Sequence, residues 1–231
     1  LILFAIGVYI SIRQFRRNAL NELFILLPII FFAGPFIFAN FNLGLRHVLP
    51  IFPFIFMLGS RVADTRSYNS KFLFRVFVIA LLAWYIISSL LVIPHYAAYF
   101  NEFVGGAKNG HKYLVSSNLD MGQDLKGLRN YLNENNITKI KLAYHGAFDP
   151  KYYNISYEPL PMESYIPWAP GFGLEESGYK EDCSKKYGII AISVSNLHGY
   201  NLINQSCFEW LNKYKPIKII GHTIFVYDIK K

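Results

Sequence analysis

PHYAAYFNEFVGGAKNGHKYLVSSNLDMGQDLKGLRNYL, residues 94–132, divides the chain into two kinds of sequence. It leaves the longest apolar run, turns through Gly105-Gly106, and ends in a helix-like segment opened by a polar cluster. The residues before it are written for lipid and those after it for water.

The charge pattern agrees with that division. Residues 1–95 hold eight Lys/Arg against two acids, Glu22 and Asp64, whereas residues 96–231 hold fifteen against thirteen. Of the net charge of +8, +6 therefore falls in residues 1–95, in short loops between apolar runs, and +2 in the remainder. That is a topology signal, and it argues against nucleic acid as a partner. Leu1–Ile12 reads as the tail of an apolar helix. Leu23–Ala39 contains no charge and carries Pro28, Gly34 and Pro35, which membrane helices tolerate. Val76–Ile93 is the clearest span, with aromatic residues gathered at its end. Loops 13–22 and 61–75 hold seven basic residues, while the loop between holds only Arg46, so the basic loops read as cytoplasmic and the 40–47 loop as outward. That orientation requires Val48–Ser60, short for a crossing, to span with the help of Asn42–His47. The opening at Leu1, inside an apolar run, reads as a chain with sequence preceding it, and no signal-peptide pattern is visible.

Beyond residue 98 the pattern is that of an α/β fold. Tyr113–Ser116 is a short β-branched and aromatic run. Leu125, Leu128 and Leu132 recur at helical spacing, and Lys139–Tyr144 alternates apolar and basic residues. Strand, helix and strand in some thirty residues predict a βαβ unit. Gly188–Ser195 reads as a strand covered on both faces. Phe208–Tyr214 reads as a short helix, and Ile217–Ile229 as two strands around Gly221-His222. The Pro- and Gly-rich Tyr157–Gly178 reads as an irregular insert.

The candidate sites each admit two readings. Asn118, Asp120, Gln123 and Asp124 stand between a predicted strand and helix, where α/β sheets bind ligands; the same residues suit helix capping by Asn118 or Asp120, with Asp124 in the first turn. Arg46, with His47, is placed to clamp a lipid phosphate or to snorkel at an interface. Cys183 and Cys207, the only cysteines, suit a disulfide in an oxidising compartment. Asn136-Ile-Thr, Asn154-Ile-Ser and Asn204-Gln-Ser match the glycosylation acceptor pattern. The six histidines show no metal-ligand spacing, although a divalent metal at Asp120 and Asp124 stays open. There is no P-loop, GxGxxG or nucleophile elbow.

Two stretches resemble the polytopic GT-C glycosyltransferases, the protein O-mannosyltransferase-like enzymes that use polyprenyl-phosphate sugars. Gly44-Leu45-Arg46-His47-Val48-Leu49-Pro50-Ile51-Phe52-Pro53 looks like their Arg-aromatic-Leu-Leu-Pro-x-x-Pro segment. Tyr99-Phe100-Asn101-Glu102, Gly105-Gly106, Asn109-Gly110 and Ser117-Asn118-Leu119-Asp120-Met121-Gly122-Gln123-Asp124-Leu125 look like the segment joining the last span to the external domain in prokaryotic members. The usual Trp of that motif is Met121 here, and a residue commonly Asp is Ser116 or Ser117. The resemblance covers roughly residues 40–135. It implies sugar transfer from a polyprenyl- or dolichyl-phosphate donor to a protein, lipid or glycan acceptor on the extracytoplasmic face. It also implies an acidic base in a first external loop upstream of Leu1, and Arg46 as the residue meeting the carrier phosphate.

These readings predict a multi-pass α-helical membrane region, residues 1–98 (about 1–12, 23–41, 44–60 and 76–96). An extracytoplasmic α/β domain comes next, residues 99–231, βαβ-containing with a mostly parallel sheet and an irregular insert at about 157–178. The function expected is that of a lipid-carrier-dependent glycosyltransferase; a non-enzymatic membrane-anchored binding or sensor module is the alternative.

Overall fold

The computed structural model describes residues 2–15, 19–38, 45–63, 71–161, 182–200 and 202–231. The chain divides into two compact units, 1–86 and 87–231.

The first unit is helical: α1 (Ile2–Gln14), α2 (Ala19–Phe38), a 3-10 helix (Leu45–Ile51) running into α3 (Phe52–Ser60), and most of α4 (Lys71–Leu91). Among the described residues two stretches are long and apolar enough to cross a membrane: Ala19–Ile37 in α2 and Phe72–Leu91 in α4. Only 6% of each is buried, so their apolar side chains face outward instead of forming a core. Ile2–Gln14 and His47–Ser60 are shorter apolar helices.

α1 and α3 approach closely because Gly7 has no side chain; a Cβ there would lie 2.0 Å from the Leu58 carbonyl oxygen. A polar pin joins three helices. Glu22, 1% exposed on α2, accepts hydrogen bonds from Ser11 on α1 and from Arg61, the residue directly after α3. At the other end of α2, Phe36 meets the His47 ring at 6.1 Å. Segment 45–60 therefore returns the chain to the end from which α2 set out. The backbone at Arg46 belongs to the 3-10 helix; its side chain, Gly44, and the basic loops at 16–18 and 64–70 lie outside the described residues.

The second unit is built on a five-stranded sheet in the order β2-β1-β3-β5-β4: β1 (Ile140–Ala143), β2 (Tyr157–Pro159), β3 (Gly188–Ser193), β4 (Lys218–Ile220) and β5 (Ile224–Ile229). β2, β1 and β3 are parallel, whereas β5 runs antiparallel to both β3 and β4. The sheet is thus mixed, and the expected mostly parallel sheet is corrected. The cause is local: Gly221 and His222 both adopt left-handed backbone (φ 55° and 73°), and the Thr223 N–H closes the turn on the Ile220 carbonyl, joining the strands as a hairpin. A hairpin makes β4 and β5 antiparallel by construction.

Helix α5 (Leu125–Glu134) lays Leu125, Leu128 and Leu132 on one face of the sheet, against Leu142, Ala191 and Val226. The opposite face carries Ile190, Ile192, Phe225 and Tyr227, covered by Leu119, Phe208 and Leu211. Burial on both faces explains why β3 reads as an unbroken apolar run. The 3-10 helix Glu209–Lys213 occupies the predicted short helix, and Cys183 and Cys207 form a disulfide.

The predicted βαβ unit does not form. Its first strand, Tyr113–Ser116, is absent: Tyr113 is 59% exposed, Leu114 and Val115 join no sheet, and Ser116 has left-handed backbone (φ 57°) that starts a 3-10 turn through Asn118. Of the expected insert, Tyr157–Pro159 is the edge strand β2; residues 162–178 lie outside the described residues.

Candidate functional site

Strands β2, β1 and β3 place β1 between its two parallel neighbours, so the chain order reverses there. The carboxyl ends of β1 and β3 form the edge at which open α/β sheets take ligands. The residues at these strand ends are polar: His145 after β1, then Ser193, Ser195 and Asn196 at the end of β3. Ser193 ends β3, Ser195 and Asn196 lie in the helical turn Val194–Leu197 that follows, and all three are fully buried.

Asp120 closes this edge from the loop above. Its Oδ1 accepts from Gly122 N–H at 3.1 Å. Its Oδ2 accepts from the Ser195 hydroxyl at 3.0 Å and the Ser195 N–H at 3.4 Å. The Ser195 hydroxyl in turn accepts from Ser116 N–H, and Ser193 Oγ accepts from His145 N–H. Burial pushes the Asp120 carboxyl above its usual range; His145, the Gly122 N–H and Ser195 pull the other way. The His145 ring stands edge-on to Tyr200 at 5.7 Å. Asn196 is the anomaly of the group. Neither atom of its buried amide has a hydrogen-bond partner among the described residues, a cost of about 1–3 kcal/mol for each orphaned group.

The loop can descend this far because Gly122 and Gly146 meet backbone to backbone. A Cβ on Gly122 would sit 2.9 Å from Gly146 Cα and 2.1 Å from Tyr144 Oη. Tyr144 Oη donates to Gly122 O at 2.9 Å, and burial, then Asp120, raises its phenol pKa.

Asp124 serves a different partner set. Thr223 Oγ1 donates to it at 2.6 Å, His95 Nδ1 lies 3.5 Å away, and Gly221 leaves it space. His222 packs edge-on to His95 at 5.6 Å; burial, then His95, lowers its pKa while Asp124 opposes.

The four cluster residues therefore do not converge. Asp120 binds the β3 edge and Asp124 the β4–β5 turn. Gln123 folds onto its own loop through Met121 N–H and Leu119 O, and Asn118 ends the 3-10 turn. The capping expectation is corrected too: Asp124, not Asn118 or Asp120, occupies the α5 N-cap, and its side chain makes no capping bond because Thr223 holds it. Among the described residues no group of three or more His, Cys, Asp or Glu is arranged to hold a metal.

A second histidine pair, His111 Nδ1 and His198 Nε2, lies at 3.2 Å with His111 edge-on to Phe225. Burial, then His198 and Lys112, holds His111 down at about 4. His145, Ser195 and Asn196 were not picked out from sequence; small polar residues directly after a doubly buried strand were the available signal. Compared with protein-family models, curated proteins and solved structures, the chain matches none of them.

Proposed function

We propose that this chain is part of an integral-membrane glycosyltransferase of the GT-C type, acting at the extracytoplasmic face on a lipid-phosphate-linked sugar. The observation that carries the reading is the return of segment 45–60. The Glu22–Arg61 and Phe36–His47 contacts lie at opposite ends of α2, with the Arg46-His47 segment beside the second of them. This pairing and the charge rule together support a multi-pass arrangement with cytoplasmic basic loops. The disulfide favours an oxidising compartment for the α/β unit.

On this reading an acceptor hydroxyl attacks the anomeric carbon and its proton passes to a carboxylate base. The bond from that carbon to the phosphate oxygen breaks, and the lipid phosphate leaves. The base is the acidic residue that the resemblance puts in a first external loop. Arg46 offsets the charge developing on the departing phosphate, a contribution on the order of 10²-fold or more in rate. The test is donor turnover by the protein in membranes supplied with a polyprenyl-phosphate hexose. Arg46→Ala is expected to lower turnover about 100-fold; unchanged turnover removes the assignment.

A further inference from the structure

An open groove of about 360 Å³ lies at the far end of α5 from His95. It falls in the size range of small-molecule sites, about 300–1,000 Å³. Its rim is formed by Asn133, Asn136, Thr138, Asn154 and Ser156, and its floor by Leu132 and Ile155. The rim is neutral apart from Arg129, whose Nη1 is committed to the Asn154 carbonyl and fastens helix to loop.

The walls are set before any ligand arrives. Asn136 and Asn154 both hold left-handed backbone (φ 55° and 52°), which Asn tolerates better than most residues. Their turns are closed by backbone bonds, Asn136 N–H to Asn133 O and Asn154 N–H to Lys151 O. The amide side chains are not spent on those turns. Each amide offers a donor and an acceptor side by side, and the hydroxyls of Thr138 and Ser156 add more of both. That is the complement of a molecule with vicinal hydroxyls around an apolar ring face.

The geometry points to a binding site for a neutral saccharide in this groove. An anion would find no uncommitted charge cluster here. A peptide adding to the sheet would need the free edge of β2, which Pro159 blunts. The inference does not depend on the transferase reading.

The test uses the whole chain in nanodiscs, made in a host that does not glycosylate asparagine, since glycans on Asn136 and Asn154 would fill the groove. Maltose, mannobiose and chitobiose are titrated by saturation-transfer NMR, with glucose 6-phosphate and a neutral heptapeptide as competitors. At least one disaccharide is expected to bind with a Kd near 1 mM or tighter. Asn133→Ala with Asn136→Asp should weaken it tenfold or more at unchanged melting temperature, and Thr138→Val about threefold, while neither competitor displaces it. Absence of binding by all three disaccharides, equal binding by the variants, or displacement by the peptide or the hexose phosphate overturns the proposal. Sugar transfer is not measured, so failure here leaves the Arg46 experiment untouched.

Discussion

Arg61 donates from a single nitrogen, Nη1, to both carboxylate oxygens of Glu22, at 2.7 and 2.6 Å, across 39 positions of sequence. Glu22 is nearly inaccessible and Arg61 is 20% exposed, so removing the cation strands a buried carboxylate. Arg61→Ala is expected to cost about 3 kcal/mol, the lower end of the range for a broken buried pair. The double change Arg61→Met with Glu22→Gln should cost less than Arg61→Ala alone. Melting in detergent measures both, and a neutral Arg61→Ala would mean the pin holds nothing.

Asp120 is expected to behave as an anchor. Asp120→Ala orphans the Gly122 and Ser195 N–H groups and should destabilise by about 2–4 kcal/mol in urea unfolding. Ser195→Ala removes the hydroxyl donor to Asp120 and the acceptor of the Ser116 N–H, and should cost about 1–2 kcal/mol.

Asn196 runs the other way. An apolar side chain of similar volume removes two unpaired buried groups, so Asn196→Leu should be neutral or stabilising by about 1 kcal/mol. A loss of more than about 2 kcal/mol would show that the amide is satisfied after all.

His111 makes stability pH-dependent. The unfolded imidazole takes its proton near 6.5, while the folded one resists until about 4. Between those values the folded state binds fewer protons, so stability falls as pH drops through that window. With the ring half-buried, the loss between pH 7 and pH 5 is expected to be about 1 kcal/mol. His111→Leu should flatten that slope in a melting series.

The disulfide closes a loop of sequence separation 24. Its reduction should cost about 3 kcal/mol in the chain-entropy account. Urea unfolding of the folded protein with and without reductant checks this.

Features governed by local pattern were legible in the sequence. The leucine spacing announced α5, the unbroken apolar run announced β3, and Gly221-His222 announced the hairpin. Pairings between distant positions were not. Ser195 meets Asp120 across 75 residues, and nothing near either position signals the other. Tyr113–Ser116 misled because β-branched and aromatic content reports side-chain preference. The left-handed backbone of Ser116, and the capture of its N–H by Ser195, decide that segment instead.

Gly122 and Gly146 carry a consequence for how such sequences can change over time. Each occupies space that the other's neighbourhood would need, with Tyr144 wedged against both. A side chain at either position lifts the loop off the strand ends and pulls Asp120 from Ser195. The loop and the β1 end therefore cannot drift independently: relatives that keep this loop against the strand ends should keep both glycines. The Gly in the SNLDMGQD stretch then marks a constraint of fit between two backbones, inherited as a pair.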